Sequence, residues 1–160
     1  MRLTSNERFG GVVTIFQGFS KNVVFWNAFL AWFIAQFLKG VYAVYRYKRL
    51  DLRRFVGAGG MPSSHSAFVT ALTVGIGMTE GWTTSITALS IVFALIVMYD
   101  AAGVRQAAGR QAATLNKIID EIFKEREFRH EYLKELLGHT PVEVIIGSVL
   151  GFVVSYWKFR

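Results

Sequence analysis

A chain of 160 residues has room for one domain, and one that is 52% hydrophobic with 14 Phe and 4 Trp is too apolar for an ordinary soluble domain. Its net charge of +7 is clustered between apolar runs, which points to the anionic face of a membrane and away from nucleic acid. There is no cysteine, which rules out disulfides, a thiolate nucleophile and any Cys-ligated metal site.

The N-terminal stretch MRLTSNERFGGVV lacks a basic–apolar–small-residue cleavage pattern, so no removable signal peptide is expected. The following FGGVVTIFQGF is apolar but too short to cross a bilayer and reads as an interfacial or re-entrant piece. A spanning helix needs roughly 20 mostly apolar residues. The first candidate is residues 22–45, broken only by Asn27, Gln36 and Lys39. The run RYKRLDLRR, which begins at Arg46, reads as a positive loop that attracts anionic lipid. The second candidate, 66–82, is short and rich in small residues; the third is 83–104 and the fourth 141–157. Trp82 and Trp157 fall at expected span ends, where an amphipathic ring suits the interface. Between the last two spans, residues 105–137 carry Leu115, Ile118, Ile119 and Ile122 at helical spacing, the pattern of an amphipathic surface helix. Gly147 and Gly151 form a GxxxG pair that lets helices approach closely. The fold class expected is therefore all-α: an integral membrane bundle of about four spans plus a surface helix, forming one domain over 1–160.

Four spans put the loop after the first and the loop after the third on the same side. Both are Lys/Arg-rich, so that side is expected to be cytoplasmic. Lys39, His65, Asp100, Arg105 and His139 all fall near that face.

Two stretches carry chemistry. In and just before GGMPSSHSAF, Gly57, Gly59 and Gly60 permit backbone turns that point amides inward. Ser63, Ser64 and Ser66 bring hydroxyls, and the helix start adds free amides and a positive dipole end. His65 would stand beside an anion held there, ready to give or take a proton near neutral pH. The bland reading is a Gly/Pro turn with a serine N-cap. In LGHTPVEVIIG, Thr140, Pro141 and Glu143 read as a capping box. That does not account for His139, which a carboxylate four residues on can orient as in a catalytic dyad. Glu143 is expected to cap and to orient with different oxygens.

These two stretches resemble the motifs of the type 2 phosphatidic acid phosphatase and vanadium haloperoxidase superfamily. GGMPSSHSA is similar to its P-S-G-H motif, and GHTPVEVIIG to its H-x-x-x-D motif with Glu143 in place of Asp. With YDAAGVRQAAGRQA and LKELLGHTP, the chain looks like the divergent bacterial and plastid-type branch, over roughly Gln36 to Gly151. The resemblance implies a metal-free hydrolase with no cofactor. His139 would attack phosphorus, His65 would protonate the leaving alkoxide and then activate water, and Glu143 would orient His139. Ser63 and the Ser64 amide would hold phosphoryl oxygens. Lys39 and Arg46 have the spacing of the superfamily's Lys-x6-Arg-Pro motif, although Tyr47 replaces the proline. Tyr132 and Leu133 stand where Ser-Arg is usual, which leaves Arg105, Arg110 or Lys134 as replacement phosphate ligands.

The function expected is hydrolysis of a lipid phosphate monoester or diphosphate through a phosphohistidine, in a bacterial cytoplasmic or plastid membrane, with the site on the cytoplasmic side. Lipid phosphate and membrane lipids are the partners, and the GxxxG span leaves room for a homodimer. The rival readings are a non-catalytic anion- or lipid-binding protein and a structural membrane subunit that keeps the motif loops.

Overall fold

The computed structural model describes residues 17–47, 60–122 and 138–160. Helix α1 is Val23–Tyr47, α2 is Ser64–Glu80 and α3 is Ser85–Tyr99. A π-helical turn, Asp100–Val104, leads into α4, Arg105–Ile122, and α5 is Pro141–Phe159. Residues 48–54 of the basic run and 123–137 of the amphipathic segment lie outside the described residues, as do Gly57, Gly59, Tyr132, Leu133 and Lys134.

Each start has a local cause. Asn22 opens α1 by accepting the Phe25 N–H at 2.9 Å. Ser63 and Thr84 cap α2 and α3 in the same way. Thr140 and Glu143 close a full capping box on α5, with Pro141 in the first turn.

The bundle is inside-out relative to a soluble protein. Ala28, Ala31, Ala35, Ala67 and Ala71 are fully buried, while Phe29, Phe33 and Phe37 on the opposite side of α1 face outward. The largest fully buried side chains are no bigger than Thr87 and four serines. Lipid tails solvate the large side chains, and small residues let backbones approach, so dispersion and hydrogen bonds hold the interior. This is an integral membrane helical bundle. Among the described residues, three helical stretches are long and apolar enough to cross: Val23–Tyr45, Ser85–Glu121 and Pro141–Phe159.

The expected second span behaves differently. α2 has 17 residues, about 25 Å of helix against a hydrocarbon core of about 30 Å. It runs through the middle, against α1, α3 and α5. Shielded from lipid on those sides, it can be short and rich in Gly, Ser and Thr.

α1 and α3 run opposite to α2 and α5. Gly75 sits against Val24 and Phe159, and Gly60 against Lys39, so α1 runs antiparallel to α2. The Gly81–Thr84 turn reverses the chain into α3. α5 runs parallel to α2: Gly147 lies on the Ser63 carbonyl and Gly151 on the Ala67 carbonyl. The GxxxG face is therefore spent inside the chain. α2 packs on this face. A buried polar chain ties three helices further along: Asn27 Nδ2 donates to Ser155 Oγ, and Ser155 Oγ donates to the Ala71 carbonyl, each at 2.6 Å. Trp82 and Trp157 are exposed together at the end remote from the motifs.

Candidate functional site

These directions bring four helices together near the motifs: α1 around Lys39, the junction of α3 with the π-helical turn, and the first turns of α2 and α5. Two helix N-termini converge there, each with a partial positive charge and unpaired amides, a setting that favours an anion.

Gly60 takes φ +87°, a left-handed conformation that glycine accepts without strain. It turns the chain into Ser63, the α2 N-cap. Ser63 Oγ accepts from the Ser66 amide at 3.4 Å and from the Ser66 hydroxyl at 3.0 Å. Those bonds use its lone pairs and leave its own O–H to donate. Ser63, Ser64 and Ser66 are all buried, and His65 in the first turn is half-buried.

The second motif is clamped onto the first. The Ser63 N–H donates to the Glu143 carbonyl at 3.0 Å, a bond possible because Gly147 has no Cβ to hold the backbones apart. The His139 N–H donates to the Ala101 carbonyl at 3.0 Å. Ala101 lies in the π-helical turn, whose widened hydrogen-bonding pattern turns a carbonyl outward from α3. His139 is 2% exposed. Its Nδ1 meets Glu143 Oε2 at 3.1 Å. An Nδ1–H donating to that carboxylate leaves the ring lone pair on Nε2.

Glu143 does both jobs with one atom. Oε2 accepts the Thr140 amide at 3.1 Å and also engages His139. The expectation of separate oxygens is corrected: His139 directly precedes the N-cap, so its ring and the cap amide approach the carboxylate from the same side.

The His65 and His139 rings lie 6.1 Å apart, centroid to centroid, at 63°. That falls within the roughly 5–8 Å that one anion bridging two imidazoles requires, given hydrogen-bond lengths on either side. Lys39 is 4% exposed, and a Cβ on Gly60 would come within 3.4 Å of its Cγ. Lys39, Ser63, Ser64, His65, His139 and Glu143 thus gather at one end of the bundle.

The arginines do not all join them. Arg110 is exposed and donates to Gln106 on its own helix at 2.6 Å. It stands nine residues beyond Ala101, about 13 Å further along the rod. Arg46 and Arg105 are placed by backbone in α1 and α4, and their side chains lie outside the described residues.

Over residues 20–154 the sequence matches the Divergent PAP2 family. The chain belongs to that family. The chain is 40% identical over 119 residues to the "Uncharacterized membrane protein YuiD" of Bacillus subtilis (strain 168), covering 68% of this chain and 75% of that one. No solved structure matches it. This Divergent PAP2 chain folds its two motif loops onto each other through Ser63 and Glu143, with His139 held to the Ala101 carbonyl. Reading the sequence missed that carbonyl, since nothing in DAAGV marks a π-helical turn. It also missed an apolar cleft beside His65, whose lining is spread over three helices.

Proposed function

We propose that this protein hydrolyses a phosphate ester of a membrane lipid through a phosphohistidine intermediate. The observation that carries this reading is the pairing of two imidazoles 6.1 Å apart at converging helix N-termini, one of them bonded to a carboxylate at Nδ1.

In the first step, His139 Nε2 attacks phosphorus. The P–N bond forms as the P–O bond to the lipid alcohol breaks, and His65 gives its proton to the departing oxygen. In the second, His65 takes a proton from water, the hydroxide attacks phosphorus, and the P–N bond breaks to release phosphate. Glu143 holds the His139 ring and stabilises the positive charge that develops on it. The Ser63 hydroxyl, the Ser64 amide and the Lys39 ammonium offset charge on the phosphoryl oxygens. Arg46, Arg105 and Arg110 remain proposed phosphate ligands on sequence grounds.

A lipid substrate follows from where the site lies. It sits at the end of a membrane bundle, where headgroups are the most abundant phosphates. The Lys/Arg-rich loops favour the cytoplasmic side for that end, and likeness to a Bacillus membrane protein favours a bacterial cytoplasmic membrane.

The test is lipid-phosphate release by the purified protein in nanodiscs, with trapping of ³²P on the protein. His139→Ala should abolish both release and label. His65→Ala should slow release yet still take up label from an ester with a good leaving group. Unchanged release by His139→Ala would end this reading. Anion binding without turnover by the unaltered chain would favour a non-catalytic phosphate-binding role.

A further inference from the structure

An apolar cleft opens beside His65, between α1 and α3. Both helices pack on α2. Phe68 and Val69 of α2 form the floor, Phe25, Phe29 and Trp32 of α1 one wall, and Val97 of α3 the other. The floor is closed, because Val69 is buried, and the outward side is open, because Phe29 is 40% exposed. Both walls belong to helical stretches long and apolar enough to cross a bilayer, so the open side meets lipid tails and not water. From Trp32 to Phe25 the wall runs away from the motifs, since α1 is antiparallel to α2 and Lys39 lies at its site end.

From this placement we infer that the substrate enters sideways from the bilayer, with its hydrocarbon in the cleft and its phosphate between His65 and His139. This rests on the phosphatase reading above and adds the direction in which the ester points. His65 belongs to both places: its ring is 6.1 Å from that of His139, and it lines the cleft. His139 is 2% exposed and is not part of the cleft lining. In phosphoryl transfer the nucleophile, phosphorus and leaving oxygen lie roughly in line. With His139 Nε2 attacking from the bundle interior, the leaving oxygen is on the side of His65, which protonates it at hydrogen-bond distance. That side is the mouth of the cleft. As P–N forms and P–O breaks, the proton on His65 passes to oxygen, and a neutral alcohol is left against Trp32, Phe68 and Val97. None of the other six lining residues exchanges a proton near neutral pH, so an alkoxide formed there depends on His65. A tail passing from bilayer to cleft exchanges one apolar surrounding for another and is never exposed to water. The cleft therefore selects esters embedded in the membrane over soluble ones.

Two measurements test this on the full chain in phosphatidylcholine nanodiscs. The first compares kcat/KM for a bilayer ester, dioleoyl phosphatidate or hexadecyl phosphate, with that for soluble 4-nitrophenyl phosphate. Val97→Trp, which narrows the cleft, should lower the ratio of bilayer to soluble ester at least tenfold, mainly through KM. Leu95→Trp, on the exposed side of α3, should preserve the ratio. A ratio indifferent to Val97→Trp, or lowered equally by Leu95→Trp, overturns the inference.

The second measurement needs no catalysis. With Trp26, Trp82 and Trp157 replaced by Phe, Trp32 alone reports on the cleft. Phosphatidate or hexadecyl phosphate brominated along the chain should quench it saturably, and the same lipid without bromine should compete. Lys39→Met, which loosens the phosphate, should shift half-saturation at least tenfold, because one lipid reaches both places. If no ester is hydrolysed, the phosphatase reading falls, while saturable quenching that responds to Lys39→Met still upholds the position of the lipid. Quenching that rises in proportion to bromine whatever the headgroup, or that ignores Lys39→Met, removes the cleft assignment. So does the absence of quenching by any brominated lipid, which would mean that protein covers the cleft.

Discussion

Ser63 and Glu143, one from each motif, are joined backbone to backbone at 3.0 Å. The contact makes the α2–α5 crossing and the proposed phosphate site a single structure. The residue that permits it is Gly147, one turn along α5 from Glu143.

Gly147→Ala should therefore damage the site as well as the fold. Its Cβ would overlap the Ser63 carbonyl, and at Gly151 the obstacle is the Ala67 carbonyl. Backbone cannot swing aside as a side chain can, so overpacking should cost about 1–3 kcal/mol. Thermal unfolding in detergent should show the loss for both variants. Phosphate release should fall further for Gly147→Ala, because Ser63 and His65 move relative to His139. Gly103→Ala, with nothing nearer than Tyr99 at 4.0 Å, should do neither. If all three variants behaved alike, the clamp would have no special role.

Glu143→Gln separates capping from orienting. A glutamine keeps an oxygen for the Thr140 amide, so the melting temperature should hardly change. It loses the charge that faces His139 Nδ1 and accepts less well from it. Where an amide replaces an orienting carboxylate in a histidine dyad, turnover falls by up to about 10⁴-fold; a drop of at least about 100-fold is expected here. A parallel fall in stability and activity would reduce Glu143 to a cap.

Lys39→Met keeps the aliphatic stem over Gly60 and removes the ammonium. Burying an ammonium costs free energy, so stability should hold or rise. Hydrogen bonds to charged groups contribute about 1.5–3 kcal/mol, so vanadate should bind roughly 10- to 100-fold more weakly. Unaltered vanadate affinity would remove Lys39 from the site.

Ser155→Ala interrupts the polar chain from Asn27 to the Ala71 carbonyl. Interhelical hydrogen bonds in membranes average about 0.6 kcal/mol and reach about 1.7; a loss near the upper figure is expected, because Asn27 is buried and would lose its partner. Asn27→Ala with Ser155→Ala should cost less than the sum of the two alone. Strict additivity in a double-mutant cycle would mean that the pair does not act as a unit.

Much of this was legible in residue order. Thr140-Pro141-x-Glu143 announces a helix start because a capping box is satisfied within four residues. The apolar runs announce spans because a bilayer demands length. Gly147 and Gly151 announce a close approach, although not which helix approaches. Other features were out of reach. The shared use of Glu143 Oε2 depends on the angle at which His139 leaves the cap. The π-helical turn at Asp100–Val104 has no local signature, and its Ala101 carbonyl matters only because His139 arrives there from α5. Where Arg110 stands relative to the motifs depends on α4 running on from α3 as one rod, which residue order does not display.

Residue order alone determined that this chain must live in a membrane, where its caps fall, and which side chains are able to exchange a proton near neutral pH, since each depends on composition, on residue type or on groups within one helical turn. Packing decided which of those side chains meet. Small residues on α2 and α5 set two helices parallel at backbone contact, and distances between the ends of different helices follow from that crossing and from no local pattern.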